Sequence, residues 1–518
     1  MKLYTKAIFL MLLGLNLACS TTKVVTKPIS TEAKYLFQKQ PNKIYFTILQ
    51  LNDVYEIAPI QGGKFGGMAR VETLRQYLLK ENPNTFAMLA GDFLNPSLLG
   101  TLKLDGERIK GKQMVDVMNA MDFELVAFGN HEFDVSYEQL QNRLNESNFE
   151  WVSANVLHNQ NGKAHYFHKV KYGKKEAVND SYILDVNQGN QSVKVGFISV
   201  CLPSNPRDYV VYGDIYAEAI RSYNEVKNNT DVVLGLTHLE IDQDKELAKL
   251  LPNIPLIMGG HEHTNSYNTV GNVTITKADA NAKSVYIHRF EFDPVTKAIN
   301  VKSELKVIDE TIKADDKVGA VVQKWQNILE TKIKEVIDNP NEIIYETEVP
   351  LEARDTPIRS VQTNMGKVIT EAMSFAYNDE VDCAIVNGGS VRIDDVLLGK
   401  INAVDIFRVL PYGGPIFKIK IKGSLLKEVL NYGTASKGSG AYLQRFKANK
   451  VNGYWEINNQ KLNFDKVYTV AISDYLMKGF DIPFLKESNK GVVNVYKPNT
   501  TELGYDIRKA VIEYLKSK

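Results

Sequence analysis

The sequence predicts an α/β layered fold in two domains, and three observations carry that reading. From Lys43 to about Asp309, short apolar and β-branched runs alternate with stretches of helical periodicity. Residues 313–337 ("KADDKVGAVVQKWQNILETKIKEVI") then repeat their apolar positions near every 3.6 residues, which reads as one exposed helix connecting this region to a second α/β region from about Ile343 onward. The chain of 518 residues is also too long for one core, at about 100–200 residues per domain. Its 44% hydrophobic and 24% charged residues argue against long disorder. A net charge of +1 gives no basis for binding a nucleic acid polymer.

The N-terminus sets the compartment. Lys2 and Lys6 precede an apolar run, Ala7 to Ala18, which is too short to span a bilayer and fits a signal peptide over residues 1–18. Ala18-Cys19 resembles a bacterial lipoprotein cleavage site, although Asn16 stands where a leucine is usual. The expectation is a cell-envelope protein held to the membrane by a lipid on Cys19, with residues 19–42 as a tether. Secretion after cleavage nearby is the alternative. Cys201 and Cys383 lie in apolar runs and read as buried small hydrophobes. No protein partner is implied.

In the first region the expected strands are 44–50, 85–90, 124–128, 193–200, 231–237 and 254–258, and the expected helices 67–80, 112–121, 136–145, 216–228 and 242–251. The residues at the strand ends are chemically uneven. Asp53 ends the first and Asp92 the second; "GNHEFD" puts Asn130, His131 and Asp134 after the third; His238 and then His261 and His263 of "GGHEH" come after later strands. Each alone could be a cap or turn residue. Five strand ends in order, each carrying a metal donor, point instead to one cleft, because ligands of α/β domains gather at the carboxyl ends of strands. Carboxylate, imidazole and amide donors without thiolates suit Zn²⁺, Mn²⁺ or Fe²⁺.

These motifs resemble those of the calcineurin-like metallophosphoesterases, and within them the 5′-nucleotidase family, over essentially the whole mature chain. The resemblance implies a four-layer α/β/β/α metallophosphoesterase domain (43–310), a linker helix (311–340) and a second α/β domain that binds substrate (341–518). It implies two divalent ions, one held by Asp53, Asp92 and His263, the other by Asp92, Asn130, His238 and His261. It makes His131 catalytic, with Asp134 orienting its ring. In the second domain, "RSVQTNMGKVITEAM", "AIVNGGSVRID" and "GAYLQRF" imply that Arg359, Asn387, Arg392 and Tyr442 bind a nucleotide or related phosphoester, with Asn364 and Gly366 as support.

Two departures stand out. The family's Asp-x-His is Asp53-Val54-Tyr55 here, and a neutral phenol is a poorer donor than an imidazole, so either the first metal site is weak or another group, such as Glu56, completes it. The second aromatic of the base sandwich falls in the altered stretch "KGFDIPF", where Phe484 is the candidate. The expected activity is a two-metal phosphohydrolase acting on nucleotides outside the cytoplasm. Alternatives are a surface nucleotide-binding protein with weakened catalysis, or a sister enzyme for UDP-sugars or 2′,3′-cyclic nucleotides.

Overall fold

A computed structural model describes residues 29–518, apart from Asn205 and Asp394. The expected signal segment, Cys19 and the start of the expected tether lie outside the described residues. The first region holds twelve principal strands: β1 (Ile44–Leu51), β2 (Thr85–Leu89), β3 (Leu125–Ala127), β4 (Glu150–Val152), β5 (Ser181–Gln188), β6 (Gln191–Ile198), β7 (Val232–Thr237), β8 (Leu256–Gly259), β9 (Ser266–Val270), β10 (Val273–Lys277), β11 (Ser284–Phe292) and β12 (Ile299–Val307). They form two six-stranded sheets, ordered β12-β11-β1-β2-β3-β4 and β5-β6-β7-β8-β10-β9.

The period of two in β1 explains how the sheets stack. Ile44, Phe46 and Ile48 face a core shared with Val195, Phe197, Leu234 and Met258 of the other sheet. Leu49 and Leu51 face the opposite way, toward the helices. A strand buried on both faces reads as the continuous apolar run seen in the sequence. The β11–β12 hairpin was not among the expected strands, because Lys302, Glu304 and Lys306 interrupt its edge strand. It closes one edge of the first sheet, with Phe290 stacked on Phe46 at 4.3 Å.

The helices fall where expected to within a residue or two: Met68–Glu81, Lys112–Ala120, Tyr137–Glu146, Ile215–Val226 and Ile241–Leu250. The connecting helix, Asp316–Lys334, is capped by Asp315 and is not exposed as expected. Val318, Val322, Trp325, Leu329 and Ile333 form one apolar stripe, which packs on the helices Met68–Glu81 and Lys112–Ala120. The charged residues that suggested exposure occupy its other faces.

The second region has a five-stranded sheet. Its strands are β13 (Cys383–Asn387), β14 (Ile416–Lys422), β15 (Leu443–Phe446), β16 (Val467–Ser473) and β17 (Val492–Tyr496), in the order β15-β13-β16-β14-β17. Cys201 and Cys383 are buried free thiols. Among the described residues, ion pairs join the two regions: Lys283 to Asp395 at 2.9 Å, Arg392 to Asp134 at 3.5 Å and Arg408 to Glu56 at 3.8 Å.

Candidate active site

Parallel strands of both sheets end at one place. Asp53 follows β1, Asp92 follows β2 and Asn130 follows β3, while His238 follows β7 and His261 and His263 follow β8. Asp53, Asp92 and His238 are buried, with ligand atoms all within 4.8 Å of one another. Asn130 Oδ1 is 3.2 Å from His238 Nε2, the His261 ring lies 5.5 Å from the His238 ring, and His263 Nε2 is 3.5 Å from Asp53 Oδ1. The structure therefore gathers all six residues that the sequence nominated as ligands.

The backbone is forced into shape to do this. Asp53, Asp92 and His261 adopt positive φ of 54°, 60° and 84°, a conformation that L-residues adopt only where their surroundings hold them. Two glycines admit the close approach: a Cβ on Gly129 would sit 2.2 Å from Asp92 Oδ1, and one on Gly260 would sit 2.2 Å from the Ala90 carbonyl. Asp53 Oδ2 accepts from Asn52 Nδ2 at 2.8 Å and from the His261 amide at 2.9 Å. Asp92 Oδ1 accepts from the His131 amide at 2.7 Å.

Supporting residues that sequence reasoning left unassigned do much of this work. Glu132, inside "GNHEFD", is fully buried and accepts the amides of Asp92, Phe93, Leu94 and Gly129, tying the β2 and β3 turns together. Burial pushes its carboxyl up to about 7, helped by the Asp92 charge and opposed by these amides. Asn281 Oδ1 receives the amides of Tyr55 and Glu56. Glu262, between the two histidines of "GGHEH", accepts from the Ile241 amide and the Lys277 ammonium, and Lys277 also meets Asp244 at 2.9 Å and the Leu239 carbonyl at 2.6 Å. Lys277 and Asp244 have no exposed surface, so this clamp fixes the turn from below.

The charges suit a cation. The close neighbours of opposite sign around Asp53 and Asp92 are imidazoles, not lysines or arginines. Burial alone would keep His238 neutral, but Asp92 and Asp53 outweigh it and push its pKa up to about 9. His238 Nδ1 donates to the Ala90 carbonyl at 2.7 Å, which leaves Nε2 toward Asp92 as the donor for a metal, in place of the proton it otherwise carries. Burial and the His238 charge hold His261 down at about 4, neutral and ready to ligate. Two buried carboxylates facing imidazole and amide groups are a donor set that fits divalent cations.

Tyr55 occupies the space that the sequence left in doubt. Its hydroxyl stands 3.5 Å from Asp53 Oδ1, 3.3 Å from Asp92 Oδ2 and 3.2 Å from His263 Nε2, so a phenol oxygen lies among the ligands. Glu56 does not join them: it faces Arg408 and Asp405 at the boundary with the second region. Beside the cluster, His131 Nδ1 is 2.7 Å from Asp134 Oδ2. Burial would keep His131 neutral, but Asp92 and Asp134 raise its pKa to about 9.

A calcineurin-like phosphoesterase family model matches residues 46–265, and a model of the 5′-nucleotidase C-terminal domain matches residues 343–487, together more than half of the chain. The chain belongs to the 5′-nucleotidase family. It is a metal-dependent phosphoester hydrolase. The human 5′-nucleotidase (Homo sapiens) is 27% identical over 84% of this chain and 83% of its own length. A trifunctional nucleotide phosphoesterase of Bacillus subtilis is 26% identical over 84% of this chain but only 32% of its own. Among solved structures, a 5′-nucleotidase precursor from Thermus thermophilus shares the fold at a TM-score of 0.66 with 21% identity, covering 92% of this chain and 96% of that one.

The 5′-nucleotidase C-terminal domain places its candidates less evenly. A cleft of about 460 Å³ is lined by Asn387, Ser390, Arg392, Tyr412, Asp474 and Tyr475, among others. Arg359 is paired with Asp355 at 2.8 Å. Tyr442 is buried, with Gln362 donating to its hydroxyl at 3.3 Å, and does not line the cleft. Phe484 packs edge-on against Tyr432 at 5.5 Å beside the domain's core and is not among the residues lining the cleft. Tyr475, 39% exposed, and Phe480, 66% exposed, present their rings instead, 5.4 Å apart. Asp481 accepts from Asn387 Nδ2 at 2.7 Å and from the Tyr475 hydroxyl at 3.3 Å.

Proposed function

We propose that this protein is a two-metal 5′-nucleotidase that removes phosphate from nucleotides outside the cytoplasm, anchored in the cell envelope through a lipid on Cys19. The observation that carries the reading is the contact of Arg392 with Asp134: the arginine that lines the second-domain cleft touches the carboxylate that holds His131 beside the ligand cluster. A phosphoester with its phosphoryl group at the cluster and its nucleoside in the cleft spans that junction.

Asp53, Asp92, His263 and the Tyr55 oxygen would hold one divalent ion, Zn²⁺ or Mn²⁺ in character, and Asp92, Asn130, His238 and His261 the other. Such a pair polarises the phosphoryl oxygens and lowers the pKa of water. The chain's own groups do the rest. His131, charged and fixed by Asp134, stabilises the growing negative charge and gives a proton to the departing nucleoside oxygen. Arg392 and Asn387 hold the nucleotide across the junction, Arg359 adds positive charge behind them, and the Tyr475 ring offers a face for the base. Asp481, beside Asn387, is placed to accept from ribose hydroxyls.

The test is a panel of purified protein with Mn²⁺, Zn²⁺ or Co²⁺ against nucleoside monophosphates, UDP-sugars, 2′,3′-cyclic nucleotides and bis-p-nitrophenyl phosphate. Preference for a nucleoside monophosphate supports the reading. Turnover confined to a diester or a UDP-sugar would replace it with a sister activity, and tight nucleotide binding without turnover with a binding protein. Membrane partition of the full-length protein, abolished by Cys19→Ser, tests the anchor.

A further inference from the structure

Lys110 is a buried lysine without a carboxylate partner. It is 8% exposed, and the sole side-chain bond of its ammonium, among the described residues, runs to the neutral amide oxygen of Asn95, at 3.1 Å. Burying an ammonium with so little compensation costs stability, so its place asks for a reason beyond packing. Burial lowers its pKa to about 8, which leaves it charged at neutral pH. Its backbone is pinned: the amide donates to the Gly100 carbonyl at 3.2 Å, and the Lys110 carbonyl accepts from Arg143 at 3.2 Å.

Three bonds lead from Lys110 to the histidine beside the metal ligands. Lys110 Nζ donates to Asn95 Oδ1 at 3.1 Å, Asn95 Nδ2 donates to Asp134 Oδ2 at 2.9 Å, and Asp134 Oδ2 meets His131 Nδ1 at 2.7 Å. The direction of each follows from the first. An ammonium can only donate, so the amide oxygen of Asn95 must face Lys110 and its NH₂ must face Asp134. That NH₂ can only donate, so Asp134 Oδ2 must accept. His131 Nδ1 then carries its proton toward Asp134, and the ring presents Nε2 on its other side. Arg207 and Arg392 also approach Asp134, each at 3.5 Å, so its charge is balanced without Lys110. What Lys110 adds is the second anchor of the Asn95 amide, holding its oxygen while Asp134 holds its NH₂.

We infer that Lys110 is a positioning residue of the hydrolytic step: through Asn95 and Asp134 it fixes the ring orientation of His131. The inference rests on His131 acting on the leaving group, and the experiment separates the two. Lys110→Met should lower kcat for a nucleoside monophosphate by roughly tenfold or more, with KM and metal content little changed, in keeping with the 10–100-fold effects of residues that orient functional histidines. The loss should shrink with p-nitrophenyl phosphate, whose anion departs without a proton. Asn95→Ala should reproduce both effects and adds a second route should Lys110→Met fold poorly. In a His131→Ala background neither change should lower kcat further, because groups acting through one residue are not additive.

If His131→Ala keeps full activity, the role of His131 falls and the relay with it. If His131→Ala is impaired while Lys110→Met and Asn95→Ala are neutral, multiply its loss, or affect both substrates equally, the relay alone is overturned.

Discussion

Around Asp53 and Asp92 nearly every side chain is held from more than one direction, whereas the second-domain cleft offers the exposed rings of Tyr412 and Tyr475. Asp53 Oδ2 takes two donors, Glu132 takes four amides, and Lys277 clamps two carboxylates below the "GGHEH" turn. Across the junction, the Tyr475 ring lies beside Phe480 and its hydroxyl donates to Asp481 at 3.3 Å. Phosphoryl chemistry needs donors placed to within a fraction of an ångström, and a base needs only a flat apolar surface. The contrast predicts large, all-or-nothing effects on the first side and small, substrate-dependent ones on the second.

The largest effect should come from His131→Ala, which is expected to lower turnover about 10²–10⁴-fold while both the metal content and the fold persist. Its Nδ1 is held by Asp134 beside the cluster of Asp53, Asp92 and His238. Elemental analysis showing metal lost in step with activity would move His131 into the ligand set and erase the distinction between chemistry and scaffold.

Next comes the clamp. Lys277→Met leaves the buried Asp244 and the partly exposed Glu262 without their counter-ion, which should release the turn bearing His261 and His263 and weaken metal retention by roughly 10–100-fold. Glu262→Gln keeps an oxygen for the Ile241 amide and should do less. Metal bound after dialysis, compared with thermal stability of the metal-free proteins, checks this. An unchanged metal content in Lys277→Met would mean that the turn is held by its backbone alone.

How far each side could be read from the sequence obeys the same division. The candidate ligands were legible because each sits within four residues of the end of an apolar strand, and "GNHEFD" and "GGHEH" concentrate rare residue types. Their supports were not legible: Lys277, Asn281 and Lys110 are far from the ligands in the chain and meet them only through folding. The cleft was harder still. Phe484 and Tyr475 lie nine positions apart in one loop-rich stretch, and nothing in local periodicity says which ring turns inward. The connecting helix was foreseen, but its apolar stripe had no visible partner until the sheets brought two helices beneath it.

On the cleft side, Tyr475→Ala should raise KM for nucleotides several-fold and leave KM for p-nitrophenyl phosphate nearly unchanged, since one aromatic stack is worth about 0.5–1.5 kcal/mol. Tyr442→Ala removes a buried ring and should lower stability more than it alters KM. If Tyr442→Ala is the variant that discriminates between the two substrates, the base stacks there and the domain opens further in solution than in this structure.

The smallest expected effect, and the one that tests where the two sides meet, concerns Tyr55. Its position in the sequence suggested a weakened first metal site, and its hydroxyl stands among Asp53, Asp92 and His263 at 3.2–3.5 Å. A phenol oxygen there is a donor of lower affinity than an imidazole at neutral pH, but it is not a vacancy. Tyr55→Phe removes that oxygen and keeps the ring, so occupancy of the first site should fall a few-fold while the second, which does not use it, is unchanged. Tyr55→His should do the reverse, raising occupancy and activity at limiting metal and making no difference at saturation. Titration of the three proteins with Mn²⁺, monitored by activity and by elemental analysis, separates the outcomes. Equal affinities in all three would show that Tyr55 packs against the site without serving it, and two tightly held ions in the native protein would show that the phenol completes the first site as well as a histidine could.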